Sequence, residues 1–285
     1  MIINIIGDTH DTPQLIKLLS TFDNLISLGD ISAVDTKEYL SDPKLYSRVW
    51  KAYTHNDFST TSKEEKEWFD RLNTTGFKKQ IQNIVSSNKD ITVIQGNTDL
   101  MMLNTYPELS SFLTNNTSSK FKYIMKPEIK VVDSTQMIFL PFNKGSFVSD
   151  LEKVGIDASM HLVVLGHCPI YKEHKRSYYV EYFTALKALA AKYWHPFTYI
   201  HGHVHADNSY VYSLPEIPNL TIHTPKAEDS DIGMGSNHHV VQLDTSTGSL
   251  QFWDSVESRI TKEVELSESE YLKSDHWNRY DKKNI

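Results

Sequence analysis

A single cysteine, Cys168, stands among 285 residues, so the chain can form no internal disulfide and no cysteine-rich zinc site. A reducing, cytoplasmic setting is the simplest expectation. No apolar run approaches the roughly 20 residues of a membrane span, and the mean hydropathy is −0.42; no membrane partner is expected. No basic region precedes the first isoleucines, and Asp8 interrupts them too early for a secretion signal. Positive charge is in deficit, with 29 Lys and Arg against 36 Asp and Glu and a net charge of −7. That balance argues against extended nucleic-acid binding, which rests on neutralising phosphates, and leaves room only for a local cationic pocket. Internal repeats of the solenoid type are missing too. The remaining composition, 39% hydrophobic and 23% charged, is that of a globular protein long enough for one large domain or two modest ones.

Histidine is what the chain has in quantity: 13 residues, many beside glycines, a clustering that points to metal. The stretch Met1 to His10 sets the pattern. Ile2, Ile3, Ile5 and Ile6 suit a strand buried on both faces, and Gly7-Asp8-Thr9-His10 then places a carboxylate and an imidazole at its C-terminal end. In open α/β sheets that end is where ligand sites lie.

Pro13 opens a helix with Leu15, Ile16, Leu18 and Leu19 on its apolar face. Residues 24–28 then form a second strand ending in Gly29-Asp30. The strand–helix–strand unit puts both strand ends on one edge of a parallel sheet. Residues 31–90 are polar and helix-like, with helices expected over 43–53, 63–72 and 77–85, as one long crossover or a helical insertion over the site. Tyr46, Trp50, Tyr53, Trp68 and Phe69 read as packing residues. Residues 91–94 form a strand followed by Gln95-Gly96-Asn97-Thr98-Asp99, and the segment to about 119 reads as loop. Strands over 121–125, 129–132 and 137–140 suggest a second sheet. A helix over 146–154, a strand over 161–165 closed by Gly166-His167-Cys168-Pro169, and an amphipathic helix over 178–193 follow. The strand over 197–200 runs into Gly202-His203-Val204-His205. Short strands over 210–213, 220–223, 238–243 and 250–253 suggest a meander. Residues 1–253 form the main domain in this reading, and 254–285 a C-terminal extension, helix or tail.

Five blocks thus stand at strand ends: Asp8-x-His10, Gly29-Asp30, Gly96-Asn97, Gly166-His167 and Gly202-His203-Val204-His205. Their oxygen and nitrogen donors suit Zn, Mn, Fe or related divalent ions. One such pair is an ordinary turn, but five in order are hard to explain as turn chemistry.

In this order and spacing the chain resembles the calcineurin-like metallophosphoesterase superfamily, whose signature runs Asp-x-His, Gly-Asp, Gly-Asn-His-Asp/Glu, Gly-His, Gly-His-x-His. The resemblance covers roughly residues 5 to 205. It implies an α/β fold, a two-sheet αββα sandwich with a dinuclear metal site at the strand ends. It also implies that Asp8, His10 and His205 hold one ion, that Asn97, His167 and His203 hold the other, and that Asp30 bridges them. The two divalent ions would be Mn, Fe, Zn or Ni. Asn97 would also contact the phosphate, and Asp99 would orient a ligand or a water from behind. The implied reaction is phosphoester hydrolysis by in-line attack of a metal-bridging hydroxide between ions about 3.5–4 Å apart.

One position departs from the signature. The histidine after the asparagine is Thr98, which is no general acid near neutral pH. A phosphodiesterase-like branch of the superfamily is similar in replacing this histidine, which favours a phosphodiester over a monoester. The arginine-containing extensions of the protein-phosphatase branch are absent. The expected partner is a small phosphorylated substrate, with a nucleotide among the candidates. The rival readings are an inactive scaffold or binding protein on the same fold, a phosphomonoesterase or protein phosphatase, and a nuclease acting on a short single-stranded end. Three further groups have bland readings: the 172–176 run as a solvated loop, His238-His239 as packing, and Cys168 as a small buried residue.

Overall fold

Alternation along β1 (Ile2–Ile6) generates the layers. Ile3 and Ile5 face one apolar core and Ile6 another, as the two-residue period of a strand requires. Asn4, 6% exposed, keeps its amide satisfied by donating to the Asn24 carbonyl at 3.0 Å and accepting from Gln242. The protein is described here by a computed structural model covering residues 1–9, 12–31, 42–55, 57–142, 151, 155–172, 177–204, 206, 208–227, 239–267 and 269–270.

Two seven-stranded sheets result. In the first, β2 (Asn24–Ser27), β3 (Asp90–Ile94) and β4 (Phe121–Ile124) run parallel to β1. On its other side, β11 (His239–Asp244), β12 (Ser249–Asp254) and β13 (Arg259–Thr261) continue antiparallel. In the second, β6 (Thr135–Leu140), β7 (His161–Gly166), β8 (Phe197–His201) and β10 (Ile217–Thr224) are parallel. There β5 (Glu128–Val132) flanks one edge antiparallel, and β9 (Tyr210–Leu214) with β14 (Val264–Glu265) flanks the other.

The sheets pack face to face over Ile3, Ile5, Ile26, Ile94, Met137, Phe139, Val163, Leu165, Ile200 and Val241. Helices α1 (Thr12–Thr21), α2 (Pro43–His55), α3 (Lys63–Ser86), α4 (Asn97–Thr105) and α5 (Pro107–Asn116) lie between strands of the first sheet in sequence. Leu15, Leu18, Phe77, Ile81, Met102 and Leu109 cover its outer face. Helix α6 (Ser177–Lys192) covers the second sheet with Tyr179, Tyr182, Ala185, Leu186 and Leu189. The architecture is α/β, a two-sheet sandwich flanked by helices, and it brings the C-terminal ends of β1, β2, β3, β7 and β8 to one seam.

The strand expected over 121–125 in a second sheet is β4 of the first sheet, and the expected meander is divided, β9 and β10 pairing antiparallel in the second sheet and β11 with β12 in the first. Three expectations for local structure change as well. Residues 63–86 form one helix rather than two: Ser62 and Glu65 make a reciprocal capping box, and the helix runs through a buried Gly76. The segment expected as loop holds α4 and α5. Their 9 and 10 residues are too few for a clear sequence period, and burial of Met102, Leu109 and Leu113 fixes them instead. From Asp254 to Glu265 the chain forms β13 and β14 rather than a helix or tail: Asp254 accepts from the amides of Val256 and Glu257 at 2.8 Å, and Ser258 takes φ +51° to close the hairpin. Leu151 alone of the expected 146–154 helix lies among the described residues, and residues 271–285 lie outside them. No helix among the described residues is long and apolar enough to cross a membrane.

His201, fully buried at the end of β8, contacts the Thr224 hydroxyl at 2.9 Å and the Gly202 carbonyl at 2.9 Å. Burial holds its pKa down to about 4. Its neutral form is the folded form, so stability is present above the unfolded value of roughly 6.5 and is lost as pH falls toward 4. Between pH 7 and pH 5 the metal-free protein should lose about 2 kcal/mol through this group. His201→Gln should flatten that part of the profile, as read from urea midpoints at the two pH values.

Candidate metal centre

The first carboxylate, Asp8, follows β1 and is 4% exposed; the second, Asp30, follows β2 and is 2% exposed. Carboxylates this deep need donors or a cation. Asp30 is reached through a left-handed pair, with Gly29 at φ +123° and Asp30 itself at φ +46°. Glycine is required at the first position, because a Cβ would lie 2.5 Å from His167 Nδ1 and 2.9 Å from Gly96 Cα. Asp30 Oδ1 accepts from the amides of Thr98 at 2.8 Å and Asp99 at 3.3 Å, in the first turn of α4. Asp30 Oδ2 accepts from the Thr98 hydroxyl at 3.0 Å. Gly96, just ahead, donates its amide to Asp99 Oδ2 at 3.2 Å.

His167 enters from the other sheet at the end of β7 and is wholly buried. Its Nδ1 lies 2.9 Å from the Leu28 carbonyl, an acceptor only, so Nδ1 carries a proton and donates. In the neutral ring Nε2 is therefore a lone pair. It lies 2.8 Å from Asn97 Oδ1, 3.2 Å from His203 Nδ1 and 3.6 Å from Asp30 Oδ2. His203, after β8, sits at φ +66°, a strained value for a histidine. Its amide donates to Asp8 Oδ1 at 2.9 Å, and its Nε2 lies 2.8 Å from the Tyr179 hydroxyl.

Electron-rich atoms thus converge from both sheets. Asp8, Asp30, His167 and His203 can each offer one atom, all within 4.8 Å of one another, with Asn97 Oδ1 beside them. Such a set is repulsive unless a proton or a cation sits among its members. Burial works against charging His167, yet Asp30, Asp8 and the Leu28 carbonyl outweigh it and raise its pKa above the ordinary imidazole value. The donors suit a divalent ion of the borderline type, and the Leu28 carbonyl behind His167 is of the kind that orients a metal-binding imidazole.

No family model matches this sequence, and no curated protein matches it. Solved structures do resemble it in outline. One, described as a novel archaeal phosphodiesterase, aligns at 14% identity over 89% of this chain and 99% of its own, with a TM-score of 0.39. Another is a conserved uncharacterized protein of Streptococcus pneumoniae TIGR4, a predicted phosphoesterase. It aligns at 11% identity over 92% and 94% of the two chains, with a TM-score of 0.33. At these scores the chemistry of the site rests on its own residues.

Of the seven ligands implied by the sequence resemblance, five are described and meet at the seam: Asp8, Asp30, Asn97, His167 and His203. His10 and His205 lie outside the described residues, as do residues 173–176 and His238. Asp99, fully buried, caps α4 through Gly96 and donates its own amide to Asp30. His239 bonds Ser209 Oγ at 2.7 Å and lies 3.3 Å from Asp254 Oδ2, away from this group. Two contacts escaped sequence reasoning. Thr98, conspicuous as a missing acid, in fact donates twice to Asp30. Tyr179 carried no motif at all and is legible only once α6 packs beside β8.

A Cβ on Gly96 would collide with the Asp30 carboxylate and amide. Gly96→Ala should therefore destabilise the fold by about 1–3 kcal/mol, the ordinary cost of overpacking. Gly155→Ala, where a Cβ meets nothing within 4 Å, should leave the urea midpoint unchanged.

Proposed function

We propose that this protein is a metal-dependent phosphoesterase, acting on phosphodiesters in preference to monoesters. The supporting observation is the convergence of two imidazoles, an amide oxygen and two buried carboxylates from five strand ends. In this reading Asp8, His10, Asp30, Asn97, His167, His203 and His205 hold two divalent ions. Such ions, when bound, supply an activated water and a clamp for the phosphate oxygens.

The chain's own groups then divide the remaining work. Asp30, fixed by the Thr98 and Asp99 amides and the Thr98 hydroxyl, keeps one orientation throughout. Leu28 holds the His167 ring with its proton on Nδ1. Asn97 is partly exposed, and its side chain can also contact a phosphate oxygen. Thr98 spends its hydroxyl on Asp30 and gives no proton to a leaving group. That suits an ester whose leaving group departs with modest assistance or takes its proton from water. The diester preference rests on this position and on the resemblance to the branch that replaces the same histidine. The substrate in this reading is small and phosphorylated, a nucleotide among the candidates.

The test is hydrolysis of bis-(p-nitrophenyl) phosphate and of p-nitrophenyl phosphate by metal-stripped protein with Mn, Ni, Zn or Mg restored. Turnover should require added metal, favour the diester and fall to background in Asp30→Asn. Turnover that survives chelation would overturn metal dependence. Idle protein with ions bound would favour the scaffold reading.

A further inference from the structure

Tyr179 is 3% exposed and lies in the first turn of α6. Its ring is wedged against Tyr178 at 4.5 Å and Tyr171 at 5.3 Å between centroids, which leaves it little choice of rotamer. The hydroxyl meets His203 Nε2 at 2.8 Å. On the other side of the imidazole, Nδ1 faces His167 Nε2 at 3.2 Å. A neutral histidine has one lone pair and one N–H. The tautomer that offers a lone pair from Nδ1 toward the centre must carry its proton on Nε2, where the Tyr179 oxygen stands placed to accept that N–H in a hydrogen bond. His203 also sits on a strained left-handed backbone, so its ring direction is not set by backbone preference alone.

We infer that Tyr179 is a positioning residue for the metal centre: its buried hydroxyl oxygen accepts a hydrogen bond from His203 Nε2–H and so holds Nδ1 toward His167, Asn97 and Asp30. The inference rests on the metal-binding reading above. It assigns to α6 a role in the site beyond covering the second sheet. Leu28 and Tyr179 then act alike, one presenting Nε2 of His167 and the other Nδ1 of His203, so that two imidazoles of opposite tautomer converge on the same point. Partners of this kind set metal affinity as well as ring direction.

Tyr182 provides the control, because it lies on the same helix and is fully buried, and its hydroxyl donates to the Leu140 carbonyl at 3.1 Å. Zinc affinity by chelator competition would be measured for the full chain, for Tyr179→Phe and for Tyr182→Phe. The side-chain N–H signals of ¹⁵N-histidine would be recorded in the zinc-loaded proteins. Tyr179→Phe should weaken zinc binding by about tenfold or more and shift or exchange-broaden the His203 Nε2–H signal. Tyr182→Phe should leave affinity within about twofold and that signal in place. Equal zinc affinity in the unaltered protein and Tyr179→Phe, or equal losses in both variants, would overturn the positioning role while leaving the metal site intact. Failure of the unaltered chain to bind zinc or manganese at all would overturn the metal reading itself.

Discussion

Two carboxylates and an imidazole buried together at the seam between the sheets govern this end of the molecule. Oxygens of Asp8 and Asp30 lie within 4.8 Å, where two unit charges repel by at least about 3 kcal/mol at an effective dielectric near 20. The backbone amides of Thr98, Asp99 and His203 offset part of that cost. They do not satisfy the facing lone pairs of His167, His203 and Asn97, which need a positive charge among them. A proton on His167, favoured by Asp30, Asp8 and the Leu28 carbonyl over its burial, meets part of the need but brings only one positive charge to two carboxylates. A divalent ion meets it well.

Everything that builds this arrangement is a consequence of where parallel strands end. Four parallel strands in each sheet deliver their C-terminal ends to the same side, and face-to-face packing of Ile5, Leu165 and Ile200 brings the two edges into register. Gln95 and Phe142 lock them through reciprocal bonds, Gln95 Nε2 to the Phe142 carbonyl at 2.8 Å and the Phe142 amide to the Gln95 carbonyl at 2.7 Å. Backbone strain at Asp30 and His203 is held within this frame. Strain of about 1–3 kcal/mol per residue survives only where the surroundings overdetermine it, which here means an inter-sheet core of buried Ile, Leu and Val completed by Met137, Phe139 and Phe252.

The strand ends were legible in the sequence because each has the same local grammar, an apolar β-branched run broken by glycine before a polar donor. The second sheet was suggested by the strands after residue 120, although the first of these, β4, pairs with β3 in the first sheet, because nothing in its own apolar pattern distinguishes the two sheets. Helices α4 and α5 were not legible, being too short to display a period and stabilised by tertiary burial of Met102 and Leu113. Strands β13 and β14 were hidden for a related reason: Arg259, Ile260 and Val264 lie exposed, so no alternating pattern marks them. Thr98 was visible only as a departure from a motif, and its donation to Asp30 required the first turn of α4 to be in place. Tyr179 depends on a contact between elements far apart in function though only 24 residues apart in sequence, and no spacing rule identifies it.

The claim on which the account turns is that this seam holds divalent ions. Manganese soaked into crystals of the protein and located by anomalous scattering addresses it directly. The account predicts strong anomalous density between His167 Nε2, His203 Nδ1, Asn97 Oδ1 and Asp30, with a second peak on the Asp8 side. Manganese bound only elsewhere, or a seam that stays empty of anomalous density at saturating ion, would contradict it.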